Sequence, residues 1–63
     1  MSERAANIAR LFVRLQSYRD RAWKAYIGKK PRQALEQVAL VEMAAMELRT
    51  LLAEEEENRR RLP

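Results

Sequence analysis

The chain has no cysteine and no histidine, and it has one glycine and two prolines in 63 residues. Without cysteine no disulfide can form, and without either residue the common zinc ligands are missing. A chain this short is usually held together by disulfides, a metal, oligomerisation or unusually good helix packing. Association is therefore the expected remedy. The same absences strip the catalytic inventory to Ser2, Ser17, Thr50 and Asp20, with no histidine or thiol to serve as base or nucleophile. Paired carboxylates occur only in the run Glu54–Glu57, which reads as a solvated helix end. No enzyme activity, cofactor or metal is expected. Long apolar runs are also lacking: none exceeds four residues, as in Val38–Val41, far short of the roughly 20 that span a bilayer. No apolar segment of signal-peptide type follows Glu3 and Arg4. The expectation is a cytoplasmic protein that does not enter the membrane.

What is present is helix-forming. Hydrophobic residues make up 48% of the chain and charged residues 35%, with Ala, Leu, Glu, Arg and Gln prominent. Ser2 suits an N-cap, with Glu3 in the first turn where the helix dipole favours an anion. Ile8, Leu11, Phe12, Leu15, Tyr18, Ala22, Trp23 and Tyr26 fall in an arc of about 140° on a helical wheel. The spacing predicts a first helix over about 3–27, with Phe12, Tyr18, Trp23 and Tyr26 packed in the core. Gly28 is expected just past its end in the left-handed conformation. Pro31 fits the first turn of a second helix, over about 31–59. The two- or three-residue connection folds the second helix back along the first. Residues 59–63 are expected to form a frayed tail.

The second helix is apolar on several sides. Ala34, Val38, Val41, Ala45, Leu48 and Leu52 recur at spacings of 4, 3, 4, 3 and 4 and predict the seam that packs on Ile8, Leu11, Leu15 and Tyr18. Leu40, Ala44 and Leu51 form a second stripe, and Leu35, Ala39, Met43 and Met46 a third side. One neighbour cannot cover all three. The expected fold is thus an all-α antiparallel hairpin that associates, as a homodimer, into a four-helix bundle. Helix 2 is expected to be central, with the oligomer interface built from Val38, Leu40, Val41, Met43, Ala44, Ala45, Leu48, Leu51 and Leu52. Glu55–Arg59, Glu56–Arg60 and Glu57–Arg61 are i, i+4 pairs in the favourable order. Counting outward from the turn places Arg4 opposite Glu54 or Glu55.

The net charge of +4 hides an asymmetry. Residues 1–32 carry nine Lys or Arg against two acids, and residues 33–63 carry four against seven. Arg10, Arg14, Arg21 and Lys24 lie within about 80° of the wheel, in line with Asn7 and Ser17, and Lys29, Lys30 and Arg32 carry the charge around the turn. A charged outer face is ordinary for an amphipathic helix, but this one contains no acid in its line. The seven cations are candidates for binding nucleic acid, RNA before DNA, or another anion. Trp23 and Ile27, near the turn, are candidates for contact with a protein partner.

The stretch Asn7-Ile8-Ala9-Arg10, with an aromatic at Phe12 in a 63-residue hairpin with a basic first helix, resembles the plasmid-encoded Rop (repressor of primer) family. The resemblance implies a dimeric four-helix bundle that binds paired RNA hairpins through its first helix. The primary reading from the residues is a non-enzymatic adaptor or regulator, homodimeric, binding another protein. The alternative is an RNA-binding regulator acting as that family does.

Overall fold

The computed structural model describes residues 2–61. Two helices, α1 (Glu3–Ile27) and α2 (Pro31–Arg61), pack against each other as a hairpin. The start of α1 is built as its sequence requires: the Ser2 side chain accepts a hydrogen bond from Ala5 N at 3.1 Å, satisfying one of the orphan donors of the first turn. α2 runs to Arg61, two residues beyond the expected end near 59, so residues 59–61 are helical. Ion pairs Arg60–Glu56 at 3.1 Å and Arg61–Glu57 at 2.9 Å support this last turn. The expected Glu55–Arg59 pair is not formed. The remainder of the expected tail, residues 62 and 63, lies outside the described residues.

The turn differs from expectation in one residue. Gly28 has φ −79° and ψ 5°, whereas Lys29 has φ 61°. Lys30 N donates to Ala25 O at 2.9 Å and Lys29 N to Tyr26 O at 3.0 Å. This nested pair ends a helix through a left-handed residue, and here that residue is Lys29. Gly28 is the last half-helical position, with its N–H donating to Lys24 O at 3.0 Å.

The core between the helices is small. Leu11, Ala44 and Leu48 are buried, with Ile8, Leu15, Tyr18 and Leu51 packed around them. This corrects the expected seam. Leu48 is in the core and Ala34 and Val41 are half-buried, but Val38, Ala45 and Leu52 are exposed. The expected second stripe, Leu40, Ala44 and Leu51, faces α1 instead. Ala44 lets the helices approach closely, and leucines on either side of it close over Leu11. A wheel with apolar residues on three sides does not select among them; the azimuth is set by how the turn delivers α2 to α1.

The aromatic residues need a similar correction. Tyr18 is half-buried, but Phe12 is 52% exposed, Trp23 61% and Tyr26 65%. Phe12 and Trp23 sit on the flank of the arc that α2 does not cover, and Tyr26 lies in the last turn of α1. Helix 1, like helix 2, therefore keeps apolar surface that its one neighbour does not cover.

The hairpin measures 53 × 19 × 12 Å between Cα extremes, with a radius of gyration of 15.0 Å, against about 11 Å for a compact chain of this length. It is a single layer of helices. Domains are ordinarily built from two packed layers around a core; here the two described helices do not themselves cover the two broad faces of the layer.

Candidate interaction faces

The two broad faces are chemically different. One begins at a shallow groove lined by Phe12, Val13, Leu15, Gln16, Arg19 and Val41. Trp23 and Tyr26 share the phase of Phe12 and Arg19 within about 60°, and Val38, Ala45 and Leu52 share that of Val41 within about 60°. Antiparallel packing brings these two flanks to the same side. The result is a band of apolar side chains from both helices, running about 21 Å along α2 from Val38 to Leu52. Its members are only partly covered: Val38 is 41% exposed and Leu52 42%. Arg19 is the one cation in the band, placed between Phe12 and Trp23, and its aliphatic stem suits an apolar surface.

The opposite face is polar. Asn7, Arg10 and Arg14 line a groove with Glu47 and Leu51, and Arg14 and Tyr18 line its continuation with Leu40, Met43 and Glu47. Arg21 and Lys24 continue the same flank. Arg10, Arg14, Arg21, Lys24, Lys29, Lys30 and Arg32 are all exposed. None takes part in the ion pairs found among the described residues, which join Arg4 to Glu54, Arg60 to Glu56 and Arg61 to Glu57. Helix 2 contributes Glu47 beside Arg14, so the sign is mixed there, and the cationic character is purest towards the turn.

The expected oligomer interface is thereby divided. Ala44, Leu48 and Leu51, with half-buried Leu40, are taken up inside the hairpin. Val38, Val41, Ala45 and Leu52 lie on the apolar face, joined by Phe12 and Trp23, which the wheel placed in the core. Met43 borders the polar face. Leu35 and Met46, both 70% exposed, occupy the outer edge of α2, and Val13 and Ile27 the outer edge of α1. The missing signal was distributed: no single helix shows the apolar face, because each contributes only a flank. Only the hairpin geometry joins Phe12 to Val41.

Among the described residues no group of three His, Cys, Asp or Glu side chains is placed to hold a metal ion. No described helix is long and apolar enough to cross a membrane.

No protein-family model, curated protein or solved structure matches the chain. The resemblance to the Rop family thus rests on the hairpin's length and basic first helix and, locally, on Asn7, Ile8, Ala9, Arg10 and Phe12. These do not form one surface here: Phe12 lies on the apolar face, and Asn7 and Arg10 on the polar one.

Proposed function

We propose that this chain is a small non-enzymatic interaction protein that works as a homodimeric four-helix bundle and binds another protein through surfaces the bundle leaves free. The observation that carries this reading is the apolar face of a single-layer hairpin, made by both helices at once. Areas support it. A folded monomer of 7.4 kDa is expected to expose about 4,200 Å²; this chain exposes 5597 Å². Two separate hairpins expose about 11,200 Å² from 5597 Å² each, and a compact body of twice the mass exposes about 7,000 Å². Pairing to that compactness buries about 4,200 Å² in total, within the roughly 2,000–5,000 Å² of obligate homodimers. A bundle closed through Phe12, Trp23, Val38, Val41, Ala45 and Leu52 leaves two kinds of surface for a second protein. One is the outer edge of α2 with Leu35 and Met46, adaptable through its methionine; the other is the edge of α1 with Val13 and Ile27.

The test replaces Val38 and Leu52 together by Glu and measures mass by light scattering after size exclusion. The double variant is expected to leave the dimer, with Met46→Glu on the outer edge remaining dimeric. A dimer that survives both charges excludes this face as the interface.

A second reading has its own observation: Arg10, Arg14, Arg21 and Lys24 are exposed on one flank and unpaired among the described residues. That arrangement suits a phosphate backbone. Titration of a structured RNA at 50 mM salt decides it. Affinity that falls steeply with added salt, and further in Arg14→Ala with Arg21→Ala, supports RNA binding; absence of binding at 50 mM salt removes it.

A further inference from the structure

The turn end of the hairpin carries one sign of charge. Residues 21–35 hold five cations, Arg21, Lys24, Lys29, Lys30 and Arg32, and no acid. All five are exposed and stand outside the ion pairs of the described residues. The bordering acids, Asp20 and Glu36, lie farther from the turn than Lys24, Lys29, Lys30 or Arg32. At 1.5 Å per residue, even Arg21 is only about 9 Å from the end of α1 at Ile27. A flat surface that touches the turn therefore has all five cations within about one Debye length at 0.1 M salt. The acidic run 54–57 is at the other end of the hairpin, with Arg4, Arg60 and Arg61 already against it.

Exposed apolar side chains share this end. Ile27, the last residue of α1, is 58% exposed, and Tyr26 beside it 65%. The end is a convex tip. Lys29 N and Lys30 N tie the chain back to Tyr26 O and Ala25 O, and the hairpin is only 19 × 12 Å across its long axis. The grooves described above are lined by residues elsewhere on the hairpin. A convex tip grips no extended segment, but it suits a flat surface. Cations alone suit any polyanion. An aliphatic side chain among them gains most where an apolar layer lies just beneath the charge. An anionic bilayer has that construction, with charged headgroups outside and acyl chains below. A small apolar contact joined to a polybasic patch is enough for reversible adsorption, and tyrosine favours the headgroup level.

We propose that the turn of the hairpin docks end-on to an anionic lipid bilayer. Lys24, Lys29, Lys30 and Arg32 lie on the headgroups, with Ile27 and Tyr26 at the boundary with the acyl chains. No described helix is long and apolar enough to cross a bilayer, and adsorption requires none. End-on docking leaves the Phe12–Val41–Leu52 face free, so this surface stands or falls separately from the self-association reading.

Co-sedimentation with sucrose-loaded vesicles tests it. One set is phosphatidylcholine alone and the other contains about 30% phosphatidylserine, both at about 50 mM salt. The chain is expected to partition onto the anionic vesicles and not onto the neutral ones. Each cation is worth about fivefold at such a surface, so Lys29→Gln with Lys30→Gln is expected to lower partitioning by about tenfold or more. Ile27→Ser is expected to lower it severalfold. Arg60→Gln with Arg61→Gln removes the same charge from the far end and is expected to change it by less than about twofold. Circular dichroism confirms that each variant is helical. Absence of partitioning onto the anionic vesicles overturns the proposal. So does an equal loss from either charge pair, which means that net charge and not the turn is read, and so does an Ile27→Ser variant that binds as well as the original chain. A structured RNA is titrated in parallel. RNA affinity that depends on Lys29 and Lys30, without vesicle binding, assigns the turn to nucleic acid and overturns the proposal too.

Discussion

The rings of Trp23 and Tyr26 lie 5.9 Å apart and tilted by 32° on the outward flank of α1. The pair is one turn of helix in sequence and sits on the same flank as Phe12, beyond the reach of α2. Trp23 is the only tryptophan, so its emission reports on what covers this face. At concentrations where the chain is dimeric, the emission is expected to lie to the blue of free indole, and to move red on dilution as the face opens to water. An emission maximum fixed at that of a water-exposed indole across the whole concentration range contradicts burial of this flank.

The turn stores a small strain at Lys29, whose φ of 61° crowds its Cβ against its own backbone at a cost of about 1 kcal/mol. Lys29→Gly relieves it and is expected to raise stability by up to about 0.5 kcal/mol, after allowance for the greater freedom of glycine in the unfolded chain. Gly28→Ala is expected to change stability by less than about 0.5 kcal/mol, because its φ is negative. A Cβ there meets Lys24 O at 3.2 Å, a tight contact at the helix end. Denaturant midpoints of the two variants check both signs. A loss above about 1 kcal/mol in Gly28→Ala is the result expected of a left-handed glycine and contradicts this turn.

Gln37 sits on the packed side of α2, and its Oε1 is buried without a hydrogen-bond partner. A buried acceptor left unpaired forfeits about 1–3 kcal/mol of solvation. Gln37→Leu keeps a similar volume and removes the acceptor, so it is expected to raise the unfolding free energy by about 1 kcal/mol. Chemical denaturation at fixed protein concentration measures this, since association also contributes to apparent stability. A destabilised Leu variant means that the Oε1 is solvated or paired in solution.

Arg4 and Glu54 close the open end of the hairpin at 3.6 Å, with side chains 40% and 50% exposed. Solvent screening leaves such a pair with little energy, so Arg4→Ala is expected to cost less than about 0.5 kcal/mol. Its role is register: it shows that α1 begins level with Glu54 and that the last turn of α2 overhangs. Thermal unfolding of the variant at low and high salt checks that the small effect disappears on screening.

The backbone was legible in the sequence because its signals are local. Ser2, Gly28 and Pro31 mark ends and a turn by their own chemistry, and the register of Arg4 against Glu54 follows from counting along two helices of known rise. The packing was less legible, because it depends on azimuth. In α2, Val38–Val41–Ala45–Leu52 and Leu40–Ala44–Leu48–Leu51 are both apolar stripes at helical spacing, and nothing local distinguishes the one that meets α1. Phe12 and Trp23 carried the same ambiguity on α1: a position about 50–70° from the centre of the arc is core beside a broad neighbour and surface beside a single helix. The polar flank of Arg10, Arg14, Arg21 and Lys24 was legible because no acid interrupts it. The Gly28–Lys29 exchange was not, since either residue can end the helix with the same hydrogen bonds.

A hairpin with this apolar face is expected to exist in solution as a pair. Sedimentation equilibrium of the unmodified chain over a range of micromolar concentrations tests it most directly, with circular dichroism on the same samples to confirm that the chain is helical. The expected result is a helical species of twice the 7.4 kDa chain mass. A fully helical species that stays at 7.4 kDa throughout contradicts it.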